Sequence, residues 1–117
     1  MKQILTQLIN NHQIIAKCSS SVVGKIAYIN HLVVVSEYRK NKVGSLILNT
    51  TEKTILLEND INEIQVVVWQ PQGDYLLNFF EKNGYQIISS AKETLFKTYD
   101  NGDIIYNLVP MFKTINK

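Results

Sequence analysis

Arginine is nearly absent from this chain: of twelve Lys and Arg residues all but one are lysine, and the exception is Arg39. Cysteine occurs once, at Cys18, which excludes an internal disulfide and is compatible with a reducing compartment. With two prolines and five glycines there is no Pro/Gly-rich linker, low-complexity segment or repeat. No stretch approaches the roughly 18 apolar residues that a membrane-spanning helix needs. The first ten residues, MKQILTQLIN, lack the apolar core of an export signal, so a cytoplasmic protein is expected. Charge is also scarce. The net +2 is spread along the chain and excludes a nucleic-acid-binding patch.

What is present is ordinary globular material, 45% hydrophobic and 19% charged, in 117 residues, a length expected to form one domain over 1–117. Ile4, Leu5, Leu8 and Ile9 recur at helical spacing and predict a short amphipathic helix ended by Asn10-Asn11. A strand is expected over 13–19, a turn at Ser19-Ser20-Ser21, and a central strand over 25–35 whose apolar second half suggests cover on both faces. A polar loop then leads into a helix ending near Glu58, and Ile64–Trp69 reads as a second buried strand. With a right-handed crossover this makes a βαβ unit. Pro71-Gln72-Gly73-Asp74 turns into a helix over Tyr75–Lys82 with a glycine C-cap at Gly84, then a strand over 85–89. A hairpin closes the chain over 94–112, turning at 100–103.

The loop Arg39-Lys40-Asn41-Lys42-Val43-Gly44 lies between a strand and a helix, where amides without helical partners and the helix dipole can hold an anion. This segment resembles the acetyl-CoA signature of GNAT N-acetyltransferases, with Lys42 replacing its first glycine. A second landmark of that family is similar to Phe79-Phe80-Glu81-Lys82-Asn83-Gly84-Tyr85. The stretch Tyr28–Gly44 looks like glucosamine 6-phosphate N-acetyltransferases in particular, although Asn30 and His31 stand where that subfamily has two carboxylates. The resemblance implies an α/β fold with a mixed, mostly antiparallel sheet and flanking helices, split near Val34 and Val67 and shortened at the N-terminus by one strand and one helix. It implies acetyl-CoA as cosubstrate, an acceptor site completed by a homodimer partner or the C-terminal hairpin, and cofactor contacts from Leu32, Val33, Val34, Val35, Arg39, Lys40, Asn41, Lys42, Val43, Gly44, Ser45, Phe80 and Lys82.

Acetyl transfer to an amine needs a neutral amine, a polarised thioester carbonyl and a stabilised thiolate. His31 is the candidate base, since an imidazole of ordinary pKa about 6.5 suits the task; its structural alternative is a hydrogen-bonded strand histidine. Asn30 stands beside it as a further catalytic candidate. His12 reads as a surface or capping residue and Cys18 as a small core residue. In the family a tyrosine at the position of Phe80 protonates the thiolate. Phenylalanine cannot, which leaves Tyr75, Tyr85 or water. Two distant histidines and one cysteine suggest no metal site.

The implied reaction is acetylation of a small primary amine, with glucosamine 6-phosphate first and a polyamine next. Two rivals stand beside it. One is acetylation of a protein amino terminus or lysine; the other is an inactive acetyl-CoA-binding module, favoured by Lys42 and Phe80.

Overall fold

The structure is a computed structural model, and it describes residues 2–39, 42–70, 75–88, 97–101 and 104–115. They form two compact units, one from the residues up to Ile64 together with Ile115, the other from Gln65–Thr114. The strand pairs within the units, β1 with β2, β2 with β3, and later β5 and β6 with β7, are all antiparallel, and helices complete a mixed α/β fold.

The first unit contains β1 (Lys2–Asn10), β2 (Gln13–Val23) and β3 (Ile26–Val34) in an antiparallel meander, with helix α1 (Val43–Glu58) packed on all three. The amphipathic helix expected over the first ten residues is therefore a strand. Its apolar residues satisfy both periods: Ile4, Thr6 and Leu8 alternate and are the less exposed, whereas Leu5 and Ile9 stay 60% and 65% exposed. Pairing with β2 decides between the two. Asn11 and His12, at φ 52° and 65°, form a two-residue turn between the paired Asn10 and Gln13, a conformation that suits the twist of a hairpin.

The turn expected at Ser19–Ser21 is also absent. Ser20 and Ser21 lie inside β2 and are buried, and their hydroxyls are bonded. Ser20 Oγ donates to the Ile4 carbonyl at 3.5 Å, and Ser21 Oγ accepts from Asn30 Nδ2 at 3.2 Å. With these bonds made, burying the serines is tolerable. The chain turns instead at Gly24-Lys25, where Gly24 has φ +61°.

Under α1, Ala16, Cys18 and Ser20 from β2 meet a helix whose buried residues are Ile47, Leu48, Thr51, Glu52 and Ile55. Burial pushes the Cys18 thiol above its ordinary pKa; a hydrogen bond with Thr51 opposes this and the charge of Glu52 adds to it. Beyond α1, the Asn62 amide donates to the Lys25 carbonyl and the Asn62 carbonyl accepts from Ile115.

The second unit holds most of β4 (Glu63–Gln70), α2 (Tyr75–Lys82), β5 (Gln86–Ile87), β6 (Lys97–Asn101) and β7 (Ile104–Thr114), with β7 between β4 and β5 and also paired with β6. β4 is not buried throughout as expected: Ile64, Val66 and Val68 are buried while Val67 is 49% exposed. The α2 helix ends where it was expected to. Tyr85 N–H bonds the Phe80 carbonyl at 2.9 Å and Gly84 N–H the Glu81 carbonyl at 3.1 Å, the paired bonds of a Schellman cap, with Gly84 at φ +95°. β5 is shorter than the strand expected over 85–89, and the hairpin expected over 94–112 is present as β6 and β7, with Asp100 and Asn101, expected in the turn, paired within β6. Residues 71–74, 89–96 and 102–103, on which parts of those expectations fall, lie outside the described residues.

Two measurements follow from this packing. Gly84→Ala puts a Cβ in the left-handed region and should cost about 1–2 kcal/mol in urea unfolding. No loss would mean that the cap tolerates an L side chain. A thiol raised in the folded state contributes stability that is fully present below the unfolded pKa of about 8.5 and is lost as pH rises toward the higher folded value. The stability advantage of the wild type over Cys18→Ala should therefore shrink in alkali, and a pH-independent difference would contradict the burial argument.

Candidate active site

The register of β2 and β3 shifts within the strands. Ser19 faces His31 and Ser20 faces Ile29, which leaves Asn30 without a counterpart. An extra residue reverses the alternation beyond it. Ala27 and Ile29 are buried before the bulge and Val34 after it, whereas His31, Val33 and Val35 are exposed. Cover on both faces, expected for this strand, is not found. His31 and Val33 share the open face with their β2 partners Ser19 and Lys17, neither of which stood out in the sequence because no motif marks them. Asn30 spends its amide on Ser21, across the bulge.

From Val34 the backbone enters a short 3₁₀ turn, Ser36–Tyr38, anchored by the Val35 amide to the Ile15 carbonyl at 2.9 Å. The hairpin tip also reaches it, since Asn10 Nδ2 donates to Tyr38 Oη at 3.1 Å. Arg39 Nε donates to the Val34 carbonyl at 3.0 Å, so this guanidinium fastens the loop to the end of β3. Lys40 and Asn41 lie outside the described residues.

Lys42 is the N-cap of α1 at φ 62° and ψ 14°, left-handed, with no side-chain cap bond, and no acidic residue occupies the first turn. This is the position where the signature has its first glycine, and the conformation explains why a glycine suits it. The lysine side chain is exposed. Leu46 N–H bonds the Lys42 carbonyl at 3.1 Å, and Val43 and Gly44 open the helix. A pyrophosphate fits this terminus: the helix dipole is positive there, no carboxylate occupies the first turn, and Gly44 adds no side chain.

The remaining candidates belong to the second unit. Tyr75 opens α2. Phe80 is buried, with its ring edge-on to Phe79 at 5.1 Å and to Tyr85 at 5.4 Å. Tyr85 is itself 2% exposed, beneath Lys113 Nζ at 5.6 Å from its ring, so its position suits packing rather than proton donation to a ligand. Lys82 is exposed in the last turn of α2. Of the sequence-derived set, the first unit therefore brings together Asn30, His31, Leu32, Val33, Val34, Arg39, Lys42, Val43, Gly44 and Ser45 along one strand end and the helix that follows.

No family model matches the chain, and no curated protein sequence does. Solved structures do. The ribosomal-protein-S18-alanine N-acetyltransferase of Escherichia coli aligns over 98% of this chain and 70% of its own at TM-score 0.80 and 15% identity. The fold is that of the GNAT acetyltransferases. A GNAT family acetyltransferase from Elizabethkingia anophelis, with acetyl-CoA bound, aligns over 95% and 75% at TM-score 0.75 and 12% identity. The PaiA N-acetyltransferase of Thermoplasma acidophilum, in complex with coenzyme A, aligns over 97% and 61% at TM-score 0.74 and 18% identity. This chain thus spans less than two thirds of the length of that last neighbour. The GNAT fold accounts for the mixed sheet and flanking helices expected from the sequence.

Relief of the left-handed lysine is measurable. Lys42→Gly should raise unfolding stability by up to about 1 kcal/mol without weakening an anion held by backbone amides. A destabilised Lys42→Gly protein would show that the lysine side chain makes a contact that outweighs the strain.

Proposed function

We propose that this chain is an acetyl-CoA-dependent N-acetyltransferase acting on a small primary amine. The observation that carries the reading is the sequence of bulge, loop and uncapped helix N-terminus, from Asn30 to Ser45, within a GNAT fold. Acetyl-CoA supplies the activated acyl group when bound. Amides of Val43 and Gly44 would hold its pyrophosphate, with Arg39 and Lys42 adding positive charge. Backbone groups of β3 around Leu32–Val34 would orient the pantetheine arm and the thioester, and the exposed His31 would take the proton released as the amine attacks.

Glucosamine 6-phosphate is the first acceptor to test, on the resemblance of Tyr28–Gly44, and Lys17 opposite Val33 supplies a cation for an anionic acceptor. The open face of His31, Val33 and Val35 favours a second reading, in which the acceptor is an extended polypeptide amino terminus. Two copies of the chain would form the working unit, in the cytoplasm. Among the described residues no helix is long and apolar enough to cross a membrane.

Calorimetric titration with acetyl-CoA, followed by thiol release with glucosamine 6-phosphate, spermidine and a short peptide, tests the reading directly. Binding with release on one amine is expected, and His31→Gln should lower kcat by about 10²-fold while leaving acetyl-CoA affinity unchanged. Binding without turnover on any amine would leave an inactive acetyl-CoA module. Absence of binding would remove the pyrophosphate assignment of residues 39–44.

A further inference from the structure

The bulge in β3 is forced, but its place is not. Ala27 pairs with Val22 and Val34 with Ala16, so seven steps along β3 run beside six along β2, and one residue must go without a counterpart. Both ends of this stretch are held. The Gly24 turn sets the start, and the Val35 amide, bonded to the Ile15 carbonyl at 2.9 Å, sets the end. The surplus could fall at Ile29, Asn30 or His31. With the surplus at Ile29, Asn30 would lie opposite Ser20 on the α1 side, where Ser20 is buried and its hydroxyl already donates to the Ile4 carbonyl. Burying a carboxamide there is costly. With the surplus at His31, Asn30 would lie opposite Ser19 on the face away from α1, and no burial penalty opposes that register.

The bond between Asn30 and Ser21 separates the two registers that burial leaves. Ser21 lies opposite Tyr28, on the face away from α1, is 7% exposed, and its Oγ accepts from Asn30 Nδ2 at 3.2 Å. As the unpaired residue, Asn30 is close enough to Ser21 for this bond. Moved opposite Ser19, it would become a diagonal neighbour of Ser21 at about 7–8 Å, a span suited to aromatic and long side chains rather than to an asparagine and a serine.

We infer that Ser21 is a positioning residue of the acetyl transfer: by holding Asn30 as the unpaired residue, it presents His31 opposite Ser19, on the open face, in a single register. This rests on the reading of His31 as the base and adds the group that keeps it in place. With the surplus at His31, the imidazole would stand on the distorted residue of the strand, and its direction toward the acceptor amine would change. Ser21 acts through Asn30 and not on the substrate.

The test uses the full chain and reads the register apart from the chemistry. In the wild type, nuclear Overhauser contacts across the strands should join Ser19 to His31. Ser21→Ala should move them to Asn30, lower kcat at least about tenfold on the amine that the wild type acetylates, and leave acetyl-CoA affinity unchanged. Asn30 is exposed, so water can take up its amide in Ser21→Ala, which should keep the wild-type circular dichroism. Ser21→Thr retains the hydroxyl and should restore both the contacts and kcat. Ser21→Ala combined with Asn30→Ala should be no slower than Asn30→Ala alone, because the one bond cannot be lost twice. Contacts that stay between Ser19 and His31 in Ser21→Ala, or losses that add in the double variant, would overturn the inference. A shifted register with unchanged kcat would overturn it as well, and His31→Gln then shows which reading fails: a slow His31→Gln enzyme removes the positioning role alone, an unaffected one removes His31 as the base. A wild type without turnover on any amine would remove both roles.

Discussion

The unpaired Asn30 in β3 is the constraint on which the geometry of the first unit depends. Without it, a strict two-residue period would send Ala27, Ile29, His31, Val33 and Val35 to the same buried face. The offset turns the second half of the strand over, so that Val34 enters the core and His31 and Val33 come out. Its amide is then spent on Ser21, which is buried, and each group satisfies the other. The same displacement places the carbonyl of Val34 where Arg39 Nε reaches it, so the loop leaves the strand in a fixed direction. One inserted residue thereby positions the open face, the loop and the start of α1.

At the start of α1 the chain accepts a local cost. Lys42 holds a left-handed conformation that glycine would adopt more readily, and the helix it begins has neither a side-chain cap nor a first-turn carboxylate. Both omissions lower helix stability and raise the positive potential at the terminus. In the second unit the opposite choice is made: Gly84 takes the left-handed position after α2, and the Schellman bonds tie Tyr85 and the buried Phe80 into one cluster. Strain is thus kept at the candidate ligand site and avoided at the structural cap.

Several elements were legible from local chemistry. The α1 pattern and the 75–82 helix with its glycine stop depend on contacts within a few residues, and each lies where it was read. The loop at 39–44 was recognisable by its residues, and the bulge two turns of sequence earlier was not. A bulge is a property of two strands in register, and no residue in Tyr28–Val34 marks it alone. The N-terminal strand was misread for a related reason. Ile4, Leu5, Leu8 and Ile9 fit a helix as well as a strand, and the Asn11-His12 turn that decides for a hairpin acts through the pairing of Asn10 with Gln13.

The sequence by itself determined the place of α1, of α2 and of the polar loop between a strand and a helix, because periodicity, glycine caps and turn residues act over short separations, and the class of fold followed from the resemblance of its two motifs to the GNAT signatures. The tertiary structure alone decided which face of β3 is open, that Ser20 and Ser21 of β2 are buried, and that the first residues form a strand. Each of these depends on a partner far along the chain: β2 for the register of β3, Asn30 and Ile4 for the serine hydroxyls, and the β2 pairing for β1. Local preference leaves such alternatives close in energy, and long-range pairing and burial select among them.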